Sequence, residues 1–182
     1  MWIGIVIAII VIIAILIIGM YNSFVKLDNK VNEAFSTMDI YLVKRWNMIP
    51  KLVDVVKAYA AHERSTLEGI VSLRNGSYDS MTEADKIKTN IELSKGINKM
   101  MAVAEGYPEL KSNENFIDLS NKLFTVEDEI ANSRKYYNGV VRLFNNKTET
   151  FPGNIFAKIF GFASKQMFEA ESFERNDVVI DI

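Results

Sequence analysis

The chain has 182 residues, with 21 basic and 23 acidic side chains and a net charge of -2. That balance offers no basic field for nucleic acid and no strong steering of anionic ligands. Cysteine is absent and histidine occurs once, as His62; this excludes disulfides, a thiol nucleophile, thiolate metal sites and any single-chain site that needs two imidazoles.

From Trp2 to Met20 no side chain is charged or strongly polar. A helix of about 19 residues spans roughly 29 Å, close to the hydrocarbon thickness of a bilayer. A buried helix of a small soluble domain keeps a polar stripe, and this one has none. Trp2 and Tyr21 bracket it, as amphipathic aromatics do at the two membrane–water interfaces. Residues 2–20 are therefore expected to form a transmembrane anchor. The competing reading is a cleaved secretory signal. Against it stand the absent positive n-region, the length of the run and the lack of an A-x-A-like site. No cysteine follows for lipid attachment. Behind the anchor come Lys26, Lys30, Lys44 and Arg45, and ahead of it only the α-amino group. The positive-inside rule then predicts an outer N-terminus and a cytoplasmic body; the opposite topology stays open.

About 160 residues remain beyond the anchor, enough for one domain with a core. Apolar residues recur there at spacings of three and four: Leu27, Val31, Ala34, Met38 and Leu42, then Ile49, Leu52, Val56 and Tyr59. This is a helical stripe. Pro50 interrupts it, with two possible outcomes. In one, Asn47 caps a new helix, Pro50 sits in its first turn and the chain reverses. In the other, the helix continues with a kink, since the apolar phase is kept. Arm lengths favour the reversal, which gives arms of about 25 residues suited to an antiparallel bundle.

The second helix is expected to stop near Asn75–Gly76, and Ser80 with Glu83 fits a capping box opening the third. That helix carries Ile87, Ile91, Leu93 or Ser94, Ile97, Met101 and Val103, and ends near Gly106 before Tyr107-Pro108. The fourth opens around Ser112–Asn113 with the stripe Phe116, Leu119, Leu123, Val126, Ile130, Tyr137, Val141 and Phe144, and ends near Thr150.

The stretch FPGNIFAKIFGF follows. Asn154 can cap a short helix that Gly161 stops. It is too short to span a bilayer and dense in large apolar groups. One reading makes it a cap on the bundle. The other makes it a membrane or partner patch formed by Phe151, Ile155, Phe156, Ile159, Phe160 and Phe162. Out, back, out and back again, four arms return the chain to the membrane, placing Phe156 and Phe160 near the headgroups. The expected fold is all-α: a transmembrane helix over 2–20, an antiparallel up-and-down four-helix bundle over 21–150, a short Phe-rich helix over 151–162 and a loosely held tail over 163–182, where Val178, Val179 and Ile180 have no evident partner.

Catalytic motifs are missing. His62-Glu63 suggests a zincin, but HERST lacks the second histidine one turn on, so half-buried packing is the expected role of His62. There is no glycine-rich phosphate loop and no G-x-S-x-G. Glu127, Asp128 and Glu129 cannot form a di-metal carboxylate centre without Glu-x-x-His on two helices. No catalytic residue, cofactor or metal is expected. Polar groups at core phase are more telling. Arg45 and Arg134 fall on inward positions, and Glu127 lies two turns before Arg134. Buried charges pair, so Glu127 is expected to meet Arg45 or Arg134.

The segments YNSFVKLDNKVNEAFSTMDIYLVKRWNMIPKLVDVVKAYAAHE, AVAEGYPELKSNENFIDLSNKL and VEDEIANSRKYYNGVVRLFNNKTETFPGNIFAKIFGF resemble the LemA family of bacterial membrane proteins, along nearly the whole chain. Phe35 and Trp46 replace other aromatics, and Asn47 stands where an acidic cap is common. The resemblance implies a membrane-anchored helical bundle without established catalysis, encoded in relatives near membrane proteases. It transfers no catalytic residues. Some relatives carry a lipobox, which implies a body outside the cytoplasm. The function expected is a scaffold in the bacterial cell membrane, associating with itself and with the lipid bilayer but not with nucleic acid. The alternative is an accessory subunit of a membrane protease or quality-control complex, with that protease or another membrane protein as its partner.

Overall fold

A computed structural model describes residues 2–74 and 76–168. In chain order the helices are α1 (Trp2–Tyr59), α2 (Arg64–Ser72), α3 (Glu83–Glu105), α4 (Pro108–Lys111), α5 (Glu114–Glu149) and α6 (Gly153–Phe160), with a 3-10 turn at Tyr78–Ser80. There is no strand among the described residues.

The start of α1 is dominated by isoleucine, whose β-branch is a mediocre helix former in water. Where lipid replaces water, a segment of this composition has helix as its available state, because every backbone N–H and C=O must then be satisfied within it. The apolar start of α1 is not buried, and α1 is long and apolar enough to cross a membrane.

The expected reversal at Asn47 does not occur. The first two predicted arms are one helix, and Pro50 lies inside it. Asn47 is exposed and caps nothing, whereas Leu42, Trp46, Ile49, Leu52, Val53 and Val56 are all buried along one stripe. A proline in a helix interior costs about 3 kcal/mol. Burial of two large aliphatic side chains, at roughly 1.5–3 kcal/mol each, is enough to offset that. The reversal comes later, over residues 60–63, where Ala60 N–H donates to Val56 O at 2.8 Å and Glu63 N–H to Ala60 O at 3.0 Å. His62 sits in that turn, exposed rather than half-buried.

The described residues fall into two compact units. One takes those in 2–37 and 133–167; the other takes those in 38–132 with Phe168. In the second unit the contacts give the direction of each arm. Val53 and Lys57 of α1 line a groove with Arg64, Leu67 and Val71 of α2. Arg74 then lies 4.9 Å from the Trp46 ring and Tyr78 reaches Asp39, so this arm descends as α1 ascends. Next, α3 rises beside α1, Lys86 meeting Asp39 and Ser94 meeting Arg45. Finally α5 descends, Asn113 bonding Tyr59 and Glu127 bonding Arg45. Successive arms of this unit alternate in direction, but they are not the arms expected from the sequence: residues 47–59 belong to α1, and the second arm is only α2 and the loop after it.

Local signals shift by a residue or two. Helix α2 stops at Ser72, and Gly76 takes φ +113, the left-handed region open to glycine; Asn75 lies outside the described residues. The cap of α3 is Thr82, not Ser80: its hydroxyl oxygen accepts the Asp85 N–H at 3.1 Å. The buried face of α3 runs Ile87, Asn90, Leu93, Gly96, Ile97, Met100 and Ala104, with Met100 in place of the expected Met101. Gly96 lets α2 approach, since a Cβ there would lie 2.9 Å from Ile70 Cγ1. Asn113 caps α5 through the Phe116 N–H at 3.0 Å, close to the predicted start.

In the first unit, α5 runs antiparallel to α1, with Phe35 on Tyr137 and Phe24 on Phe144. Asn154 does not cap α6. Pro152 holds the cap position and Asn154 Oδ1 is buried without a partner. Gly161 ends α6 as predicted, at φ 77, with Phe162 N–H donating to Ala157 O at 2.9 Å. Residues 163–167, expected to be loose, are strapped down. Asn145 accepts the Lys165 N–H and donates to Lys165 O, both at 2.8 Å, and Tyr137 OH donates to Gln166 O at 2.9 Å. Lys165 also pairs with Asp28 at 2.7 Å. Phe168 is buried, and residues 169–182, with Val178, Val179 and Ile180, lie outside the described residues.

Candidate functional site

In the first unit the Phe-rich segment gathers at the end of the apolar run. Phe160 packs edge-on against Tyr21 at 5.1 Å between centroids, and Phe162 lies 6.3 Å from the same ring. Phe162 also stacks on buried Phe24 at 5.0 Å and 12°. Phe156 stacks on Phe160 at 6.1 Å. The remaining members of the predicted patch point away from the protein: Phe151 is 79% exposed, Ile155 49% and Ile159 67%. The segment therefore has two sides. Phe156, Phe160 and Phe162 are half-buried, while Ile155 and Ile159, four residues apart on α6, form an open apolar edge, and Phe151 is exposed in the turn just ahead of the helix.

The corner between α5 and α6 depends on Gly153. A Cβ there would sit 2.1 Å from the Lys147 carbonyl oxygen. Lys147 donates to Ser23 Oγ and places its ammonium 4.7 Å from the Phe24 ring centre. Desolvation in this setting lowers the Lys147 pKa from its usual value.

In the second unit Arg45 is 1% exposed, and its guanidinium is the hub of a polar network. One terminal nitrogen donates to both carboxylate oxygens of Glu127 at 2.9 Å and to Ser94 Oγ at 2.8 Å. The other donates to the Asn90 backbone and side-chain oxygens at 2.8 and 2.7 Å. Only Nε has no partner. One buried cation thus joins α1, α3 and α5. Of the three charges singled out in the sequence, Arg45 and Glu127 meet directly. Arg134 is half-buried and lies in the other unit.

Sequence reasoning missed Asn90, although it falls three residues after Ile87, on the inward face. It also missed a neighbouring cluster. Tyr78 OH donates to Asp39 at 2.7 Å, Lys86 pairs with Asp39 at 2.8 Å and lies 4.8 Å from the Tyr78 ring, and Trp46 packs on Tyr78 at 5.2 Å. Burial raises the Tyr78 pKa above its ordinary value of 10.0, and the Asp39 hydrogen bond and charge add to the shift. The phenol is thus held neutral in the folded state. Its contribution is whole below about pH 10 and is lost as the pH climbs toward the folded value. Tyr78→Phe removes a hydrogen bond to a charged acceptor and is expected to cost about 2 kcal/mol, or roughly 5 °C in thermal midpoint. Thermal melts at neutral and alkaline pH check this, and the variant loses less between the two than the parent.

These polar side chains are engaged with one another, and no group of three or more His, Asp or Glu that could hold a metal occurs among the described residues. The LemA family model matches residues 34–182. The chain belongs to the LemA family. This LemA-family chain is similar to Protein LemA of Metamycoplasma hominis, 27% identical over 166 residues, covering 88% of this chain and 74% of the relative. It is also similar to Magnetosome protein MamQ 2 of Paramagnetospirillum magneticum, 25% identical over 175 residues, with coverage of 82% and 64%. The Magnetosome protein MamQ of Magnetospirillum gryphiswaldense is 22% identical over 174 residues, with coverage of 81% and 64%. The chain spans just under two thirds of the length of these MamQ relatives. The apolar α1 and this kinship together describe a membrane-associated protein of LemA type.

Proposed function

We propose that the chain is a single-pass membrane scaffold: α1 fixes a helical body to the bilayer, and that body binds copies of itself rather than catalysing a reaction. The observation that carries this is the wholly exposed apolar start of α1, continuous with a helix that enters a packed body. Confinement to a plane raises effective concentration, so modest contacts suffice for association. The second unit offers such contacts. Ile117 and Phe124 stand seven residues apart on α5 and are both exposed, 44% and 56%. Exposed Lys26, Lys30 and Lys44 follow the apolar run, which supports a cytoplasmic body.

Light scattering on the full chain in detergent is expected to give a mass above the monomer, and Phe124→Lys is expected to lower it toward the monomer. A strict monomer at high concentration contradicts self-association; if it co-purified from native membranes with a second membrane protein, the accessory-subunit reading would replace it. The chain has no cysteine, so Lys99→Cys, at an exposed position of α3, reports topology directly. A membrane-impermeant maleimide should label it only after lysis, and labelling of intact cells would place the body outside.

A further inference from the structure

We propose that α6 is a second point of contact with the bilayer: an interfacial foot whose edge of Ile155 and Ile159, with exposed Phe151 just ahead of the helix, lies in the headgroup–acyl boundary. This rests on the reading that α1 spans the membrane. The occupant follows from continuity. Phe160 and Phe162 pack on Tyr21, the residue that directly follows the apolar run, so α6 is fixed at the height where α1 leaves the hydrocarbon. The inner side of α6 is already satisfied, with Gly153 and Ala157 buried. Its outer edge is carbon-rich, and on the same helix Lys158 is exposed, a side chain long enough to lay its stem along acyl chains while its ammonium stays among phosphates. At eight residues α6 is too short to span. Its right depth is shallow, with an apolar edge sunk roughly 5–10 Å at the boundary. The Gly153 corner and the strap over 163–167 hold it there, so two elements, not one, set how the first unit meets the lipid surface.

The test uses the full chain in vesicles of phosphatidylcholine and phosphatidylglycerol. Single cysteines carrying an environment-sensitive fluorophore are placed by Ile155→Cys, Ile159→Cys, Ile10→Cys within the apolar run, and Tyr136→Cys at an exposed position of α5 in the same unit. Quenchers are lipids spin-labelled high or low on the acyl chain, and aqueous iodide. The proposal predicts that positions 155 and 159 are quenched about twofold more by the shallow label than by the deep one. Position 10 answers to the deep label and position 136 to iodide alone. If 155 and 159 behave like 136 while 10 stays lipid-quenched, the foot is refuted and the anchor stands. If 155 and 159 escape both kinds of quencher, a protein surface covers them and the foot is equally refuted. If 10 itself escapes the lipid quenchers, the spanning reading fails and takes the foot with it.

Discussion

Glu127→Lys lowers the thermal midpoint of the full chain in detergent by roughly 10 °C, the largest effect expected of any single charge substitution. Breaking a buried ion pair by removing one partner costs about 3–5 kcal/mol, and each kcal/mol is worth about 2–4 °C in a chain of this size. The two partners are not equivalent. Arg45 is enclosed, with 1% of its side chain exposed, whereas Glu127 keeps 32%. A lysine at 127 leaves the Arg45 guanidinium buried beside a like charge, with Asn90 and Ser94 as its only other acceptors. Arg45→Met has a milder outcome, because Glu127 can turn to water. About 1–2 kcal/mol is expected there, and joining it to Glu127→Leu recovers much of the loss, since burying hydrophobic groups in place of an ion pair is often near neutral. Thermal unfolding of the three variants ranks them. Equal losses for Glu127→Lys and Arg45→Met would remove the asymmetry on which this reasoning stands.

Gly153→Ala opens the corner between α5 and α6. A new methyl group would lie 2.1 Å from Lys147 O and 3.2 Å from Lys147 C, backbone atoms with no rotamer to escape into. Overpacking of this kind costs about 1–3 kcal/mol, and the strain is relieved by moving α6 off Tyr21 and, with it, the following Phe162 off Phe24. The readout is limited trypsin digestion. Cleavage after Lys158 and Lys165 becomes several-fold faster in the variant, because local unfolding exposes both sites. Gly139→Ala is the matched control: it lies within α5, a Cβ there meets nothing within 4 Å, and the substitution should stabilise by about 0.5–1 kcal/mol. Unchanged digestion of Gly153→Ala would mean that the corner yields without moving α6.

The largest features were legible in the sequence because burial imposes a period. The three-and-four spacing of α5 and the core phase of Arg45 and Glu127 report which face is turned inward, while the apolar run of α1 was legible from composition and length alone. The glycine stop at Gly161 was legible because it depends on backbone geometry alone. Pro50 misled for the opposite reason. Its local penalty argues for a break, but a stripe buried on both sides outweighs one missing hydrogen bond. Asn90 and Tyr78 stayed hidden because a polar residue on an apolar face reads as a gap until its partners on another arm are known. The strap over 163–167 was illegible for a related reason. Its hydrogen bonds run from Asn145 and Tyr137 to backbone atoms, and a backbone carries no sequence signature of being chosen. The cap at Thr82 rather than Ser80 shows the limit of motif spacing, since both hydroxyl residues stand just ahead of an apolar-periodic run.

The central claim is that the apolar start of α1 holds this helical body to the lipid. Fractionation of the full chain and of a chain lacking residues 2–20 measures it most directly. The account predicts that the full chain stays with the membrane through high salt and through alkaline carbonate, while the shortened chain is released. Release of the full chain by salt alone would contradict it.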